Sequence, residues 1–119
     1  MNAVQQSIMD YVSQHDETSF VEIEQIFDNC GFEWQGNQQI ASSQCMCLWF
    51  WSGWNQEAVN QIAELIHKQM VEMRQVSPSI YFTDGVVLNI PVASKQRFYK
   101  HPHWLPVGFT ASHRQPEKL

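Results

Sequence analysis

The sequence predicts a small α+β domain. Three observations carry that assignment. Helical periodicity with recognisable caps occurs in three separated segments. Short runs rich in aromatic and β-branched residues lie between and after them. A length of 119 residues, with 44% hydrophobic and 16% charged residues, bounds one ordinary globular core. A chain of this length buries about two-thirds of its unfolded surface, so residues 1–119 are read as a single domain with 110–119 a frayed tail.

Residues 3–14 place Val4, Ile8, Tyr11 and Val12 at helical spacing, with Asn2 available as a cap. Ser19 and Glu22 then form an S-x-x-E capping box. The helix that follows turns Phe20, Ile23, Ile26 and Phe27 inward, and Asn29-Cys30-Gly31 supplies its stop. Residues 32–51 change character. "FEWQG", "QIASS" and "MCLWFW" read as strands, with Gly36-Asn37 as the turn between the first two. Met46 to Trp51 is apolar on both faces, as a central strand covered on both sides requires. Of Trp49, Phe50 and Trp51, at least two are expected to be buried, with Leu48 and Phe50 sharing a face. Ser52-Gly53 is expected to end that strand, and Asn55 to cap a third helix lined by Ala58, Ile62, Leu65 and Ile66.

Met70 to Val76 fits a helix tail or a strand. "IYF", Asp84-Gly85 and "VVLNI" predict a hairpin, because Asp-Gly tolerates the positive φ angles of a tight turn. From Lys95 the chain is basic, aromatic and Pro-punctuated, and is expected to pack on the body to about Phe109. Two N-terminal helices, a later helix and an Asp-Gly hairpin are compatible with a winged-helix-like arrangement. The strands predicted between 32 and 51 depart from it.

Charge is strongly segregated. Residues 1–67 hold nine acids and no Lys or Arg, whereas residues 68–119 hold all seven bases and three acids. Nucleic-acid affinity comes largely from Lys and Arg neutralising phosphates, so the first two helices are not expected to read DNA. An acidic surface keeps a small protein soluble. It also offers a face to a basic partner, or to the basic end of a second copy.

Three phrases, "FWSGWNQEA" at 50–58, "YFTDGVVLNIPVA" at 81–93 and "YKHPHWLPV" at 99–107, resemble a group of small, functionally uncharacterised proteins encoded in bacterial phages and prophages. The resemblance covers the central and C-terminal two-thirds of the chain. It implies a compact, winged-helix-like domain and brings no catalytic residues to carry over.

The opening stretch, MNAVQQSIMDYVSQ, has no basic residue and no long apolar run, and the longest apolar run spans seven residues, Cys45 to Trp51. No secretory signal, membrane span or membrane partner is therefore expected, and the chain is read as cytoplasmic. Cys45-x-Cys47 and His101-x-His103 offer four candidate metal ligands, but the spacing is not that of a zinc finger, so no metal is expected. Phosphate loops, dinucleotide fingerprints and hydrolase motifs are missing from the sequence. The expectation is a non-catalytic binding protein without a cofactor, working through protein–protein interaction or self-association. Trp54 lies past the Ser52-Gly53 break and is expected to face a partner, with Trp104 as its companion. The alternative is nucleic-acid contact through Lys95, Arg97 and Lys100, interleaved with Phe98, Tyr99 and Trp104.

Overall fold

Local chemistry opens each of the three longer helices in the computed structural model, which describes residues 1–112. Helix α1 (Ala3–Val12) starts at Asn2, whose side chain accepts from the Gln5 N–H at 2.8 Å while Gln5 reaches back to the Asn2 N–H at 3.1 Å. Helix α2 (Phe20–Asn29) repeats the device with Ser19 and Glu22, at 3.1 and 2.9 Å. Each box satisfies two backbone donors that the helix itself cannot. Gly31, at φ +68°, follows the end of α2 in the left-handed region. Asn55 accepts from the Ala58 N–H at 2.8 Å and opens α3 (Gln56–His67). These helices bury the residues their periodicity predicts, including Ile8, Val12, Phe20, Ile23, Phe27, Ile62 and Leu65.

Strands β1 (Gln35–Ala41) and β2 (Leu48–Trp54) pair antiparallel. Strand β3 (Val71–Gln75) resolves the ambiguity of that segment in favour of a strand. A short helix α4 (Ser79–Asp84) follows, then β4 (His103–Trp104) and β5 (Val107–Ala111). One sheet has the order β1-β2-β4, with β4 parallel to β2, and a second pairs β3 with β5 antiparallel. The domain is thus α+β with one mixed and one antiparallel sheet. Strand β2 is the centre of the first sheet, as its two-sided apolar pattern predicts.

Four expectations are corrected. Gly36-Asn37 is no turn: Gln35 and Gln38 both oppose Trp54, so these two residues form an irregularity within β1. A Cβ on Gly36 would lie 2.7 Å from the Asn55 backbone, so the close approach of the two segments requires glycine there. The hairpin predicted around Asp84-Gly85 is instead the C-terminus of α4, with Gly85 at φ +77°. Helix wins because it drives Tyr81 into the core, where the hydroxyl donates to the Val107 carbonyl at 2.6 Å and accepts from the Phe20 N–H at 3.1 Å. Thr110 and Ala111, expected in the frayed tail, belong to β5, and the Ser112 N–H bonds to the Met70 carbonyl at 3.0 Å. The rest of that tail, 113–119, lies outside the described residues. Finally, of Trp49, Phe50 and Trp51 only Trp51 is fully buried, together with Leu48, while Trp49 and Phe50 are half-buried.

The core is aromatic. Phe20 is its hub, with ring centroids 5.9 Å from Trp51, 5.4 Å from Trp54 and 5.0 Å from Phe109. Trp51 and Trp104 both meet Tyr81 at 5.1 Å. The offset and edge-on geometries in this cluster are those that aromatic quadrupoles favour.

Candidate functional site

Two sequence-predicted contact residues prove internal. Trp54 is 0% exposed, packed edge-on against Phe20 and Phe27. Trp104 is 1% exposed and donates its indole N–H to the Phe50 carbonyl at 3.2 Å. Neither presents a face to a partner. The physical reason lies at Gly53, whose φ of +92° carries the strand onward where an end was expected. That continuation swings Trp54 back beneath α2.

Burying indoles creates a demand for acceptors. Trp51 and Trp54 both donate to Glu24 Oε2 of α2, at 2.8 and 2.9 Å. One turn on, Asp28 accepts from the Trp34 indole at 2.8 Å. Desolvation pushes the Glu24 carboxyl above its ordinary range, the two indole bonds pull it back, and Asp28 nearby adds to the rise. This arrangement joins α2 to β2.

The three cations of the alternative reading do share one exposed feature. Lys95, Arg97 and Lys100 lie on the irregular segment 94–102 that leads into β4, and all three are exposed. Among the described residues none of the three forms an ion pair. Lys68 and Arg74 differ, being held by Glu64 at 3.5 Å and Glu72 at 3.1 Å. Phe98, between Arg97 and Lys100, is 76% exposed. Arg97 stands 5.0 Å over the Tyr99 ring, and that ring stacks on His103 at 4.2 Å.

What holds this loop is the Cys-x-Cys pair, a role the sequence did not disclose. The Cys45 thiol accepts from the Tyr99 N–H at 3.4 Å and meets the Tyr99 carbonyl at 3.6 Å. The Cys47 thiol donates to the Lys100 carbonyl at 3.5 Å. The Tyr99 hydroxyl closes the loop on the Lys95 carbonyl at 3.1 Å. Beneath it lies a cavity of about 220 Å³, with Ser42, Gln44 and Gln96 as polar lining and Leu48 and Phe98 as apolar lining. Exposed cations beside an open aromatic ring can hold an anionic surface. Among the described residues, no group of three or more His, Cys, Asp or Glu is placed to hold a metal ion. Nor is any described helix long and apolar enough to cross a membrane.

Comparison with protein-family models, curated proteins and solved structures gives no match.

Proposed function

We propose that the protein is a non-catalytic binding module, acting by protein–protein contact, including self-association. One observation carries this reading: among the described residues, charge of both signs is exposed without an ion pair on separate segments, and apolar groups that the core does not use are exposed as well. Lys95, Arg97 and Lys100 are exposed near Phe98, while Asp16 and Glu17 are exposed on the α1–α2 connection. Phe82 of α4, with Val86 and Val87 just after it, leaves further apolar surface, at 61%, 43% and 44% exposure. With Trp54 and Trp104 internal, these groups replace them as the proposed contact residues. The resemblance of the three phrases to phage and prophage proteins points to a role in a bacterial mobile element, in the cytoplasm.

A second reading is nucleic-acid association, favoured by the grouping of three cations, free of ion pairs among the described residues, with an open phenyl ring. Single-stranded sites combine phosphate contacts with aromatic stacking. Sedimentation of the chain at low and high salt, beside an anisotropy titration with a fluorescent single-stranded oligonucleotide, separates the two. The protein-contact reading expects association without oligonucleotide binding. Oligonucleotide binding that weakens steeply with salt and disappears in a Lys95→Ala, Arg97→Ala, Lys100→Ala variant reverses the order.

A further inference from the structure

The cavity beneath the cationic loop, at about 220 Å³, has the volume of about seven waters at about 30 Å³ each. Two segments wall it. The turn from β1 into β2 contributes Ser42, Gln44, Cys45 and Leu48, and the loop contributes Gln96, Arg97 and Phe98. Both segments come from stretches without a carboxylate side chain, since no Asp or Glu occurs in residues 34–56 or 85–116. Among the described residues, Arg97 is the one charged member of the lining, and it forms neither an ion pair nor a hydrogen bond through its guanidinium.

The other polar groups also have hydrogen bonds to give. The Ser42 hydroxyl oxygen accepts from the Gln44 N–H at 3.1 Å, which leaves its proton available to a ligand. The side-chain amides of Gln44 and Gln96 bond to nothing among the described residues, and each carries two donors. The apolar part of the lining is uneven. Leu48 is 3% exposed, whereas Phe98 is 76% exposed. A ligand that covers this phenyl ring takes apolar surface out of water, and a flat ring suits it best.

The walls are fixed without a ligand. The Ser42 N–H bonds to the Leu48 carbonyl at 2.9 Å, and the Leu48 N–H bonds to the Cys45 carbonyl at 3.0 Å. The Tyr99 N–H donates to the Cys45 thiol at 3.4 Å and ties the loop to that turn. Arg97 is steadied over the buried Tyr99 ring at 5.0 Å, and the Tyr99 hydroxyl is held by the Lys95 carbonyl at 3.1 Å. Little ordering remains to be done on binding, which favours association.

We propose that this cavity binds a small organic anion, a carboxylate or a phosphate monoester carrying a flat ring, with the anionic group on Arg97 and the ring against Phe98. A guanidinium offers paired donors that match the oxygens of either group. The amides and the Ser42 hydroxyl complete the shell around it. The proposal goes beyond the protein–protein reading above and does not depend on it.

The test is an NMR titration of the isotope-labelled chain at physiological ionic strength, following the Gln44 and Gln96 side-chain amides and the Arg97 Nε–H. Benzoate and adenosine monophosphate are the probes. At least one is expected to shift these signals saturably, half-complete at or below about 1 mM. Tighter benzoate assigns the carboxylate, and tighter adenosine monophosphate assigns the phosphate monoester. For the probe that binds, the anion without its ring (acetate or inorganic phosphate) and the ring without its anion (benzyl alcohol or adenosine) are each expected to bind at least about tenfold more weakly. Arg97→Gln is expected to weaken binding at least about tenfold, and Phe98→Ala about fivefold. Lys95 and Lys100 lie on the same loop but outside the lining, so Lys95→Ala and Lys100→Ala are expected to stay within about threefold of wild type. All four residues are exposed, and unchanged near-ultraviolet circular dichroism confirms folding of each variant. No saturable shift with either probe up to about 20 mM overturns the proposal. Binding that falls as far in Lys95→Ala or Lys100→Ala as in Arg97→Gln also overturns it, because the attraction then belongs to the loop as a whole. So does a neutral ring that binds as tightly as its anion.

Discussion

Replacing Glu24 by Leu removes the acceptor shared by two buried indoles. Trp51 and Trp54 are 2% and 0% exposed, and both donate to the same carboxylate oxygen. A buried donor left without a partner costs about 1–3 kcal/mol, so two orphaned N–H groups bound the loss at about 2–6 kcal/mol. Glu24 itself is half-buried, so water reaches part of the vacated site, and a loss of about 2–3 kcal/mol is expected. For a domain of this size that lowers the melting temperature by roughly 10 °C. Glu24→Gln supplies the contrast. Its amide oxygen keeps two lone pairs for the indoles, and the desolvation of a charge disappears. That variant is expected within about 1 kcal/mol of wild type at neutral pH. Calorimetry of the three proteins checks the order. A Leu variant melting within about 2 °C of wild type would refute the claim that these hydrogen bonds hold α2 to β2.

The same residue sets a pH signature. Burial first, and Asp28 less strongly, raise the Glu24 carboxyl above its ordinary 4.5 against the pull of the two indoles. The folded state therefore holds this proton more tightly than the unfolded state does. The resulting stability is fully present below the unfolded value and is lost as pH rises through the higher folded value. Relative to Glu24→Gln, wild type is expected to gain stability on acidification through that window. A difference that is flat with pH contradicts the assignment.

Trp54→Ala is expected to cost about 3–5 kcal/mol in thermal melts, because the ring is core and not contact surface. Tyr81→Phe removes the hydroxyl shared by the Val107 carbonyl and the Phe20 N–H. A loss of about 2 kcal/mol is expected, with faster hydrogen exchange at the Phe20 amide as its specific mark. Gly108→Ala sets a methyl 2.9 Å from the Glu17 backbone. A cost of about 1–3 kcal/mol is expected, read as a lower urea midpoint with an unchanged slope.

Which features were legible in the sequence follows from the range of the forces involved. Capping boxes act across three residues, so Asn2, Ser19 and Asn55 announce their helices without reference to the rest of the chain. The two-sided apolar run of β2 likewise identifies a central strand, since no solvent-facing strand tolerates it. Asp84-Gly85 misleads because a hairpin turn and a helix end both ask for glycine at positive φ. What decides between them is Tyr81 bonding to residues 26 and 61 positions away. Gly53 misleads in the same manner: a glycine that ends a strand and one that bends it look alike in the sequence. The exposure of Lys95, Arg97 and Lys100 was legible, because long charged side chains on an irregular segment stay in water. Trp54 was not, because its fate depends on that bend.

Two compositional oddities, nine acids before the first base and five tryptophans, turn out to be linked. Three of the five indoles donate to carboxylates of α2, namely Trp51 and Trp54 to Glu24 and Trp34 to Asp28. An aromatic core of this kind needs acceptors along its edge, and an acidic helix supplies them without burying a full charge. Part of the charge segregation is thereby explained inside the domain, and Glu24 and Asp28 need no external partner. Asp16 and Glu17 have no such internal duty among the described residues. They stand on a connection tied to β5, where the Thr18 and Phe109 backbones exchange hydrogen bonds. Subtracting the acids that serve the core leaves a smaller negative surface, to which the exposed Asp10, Asp16, Glu17, Glu33 and Glu57 contribute.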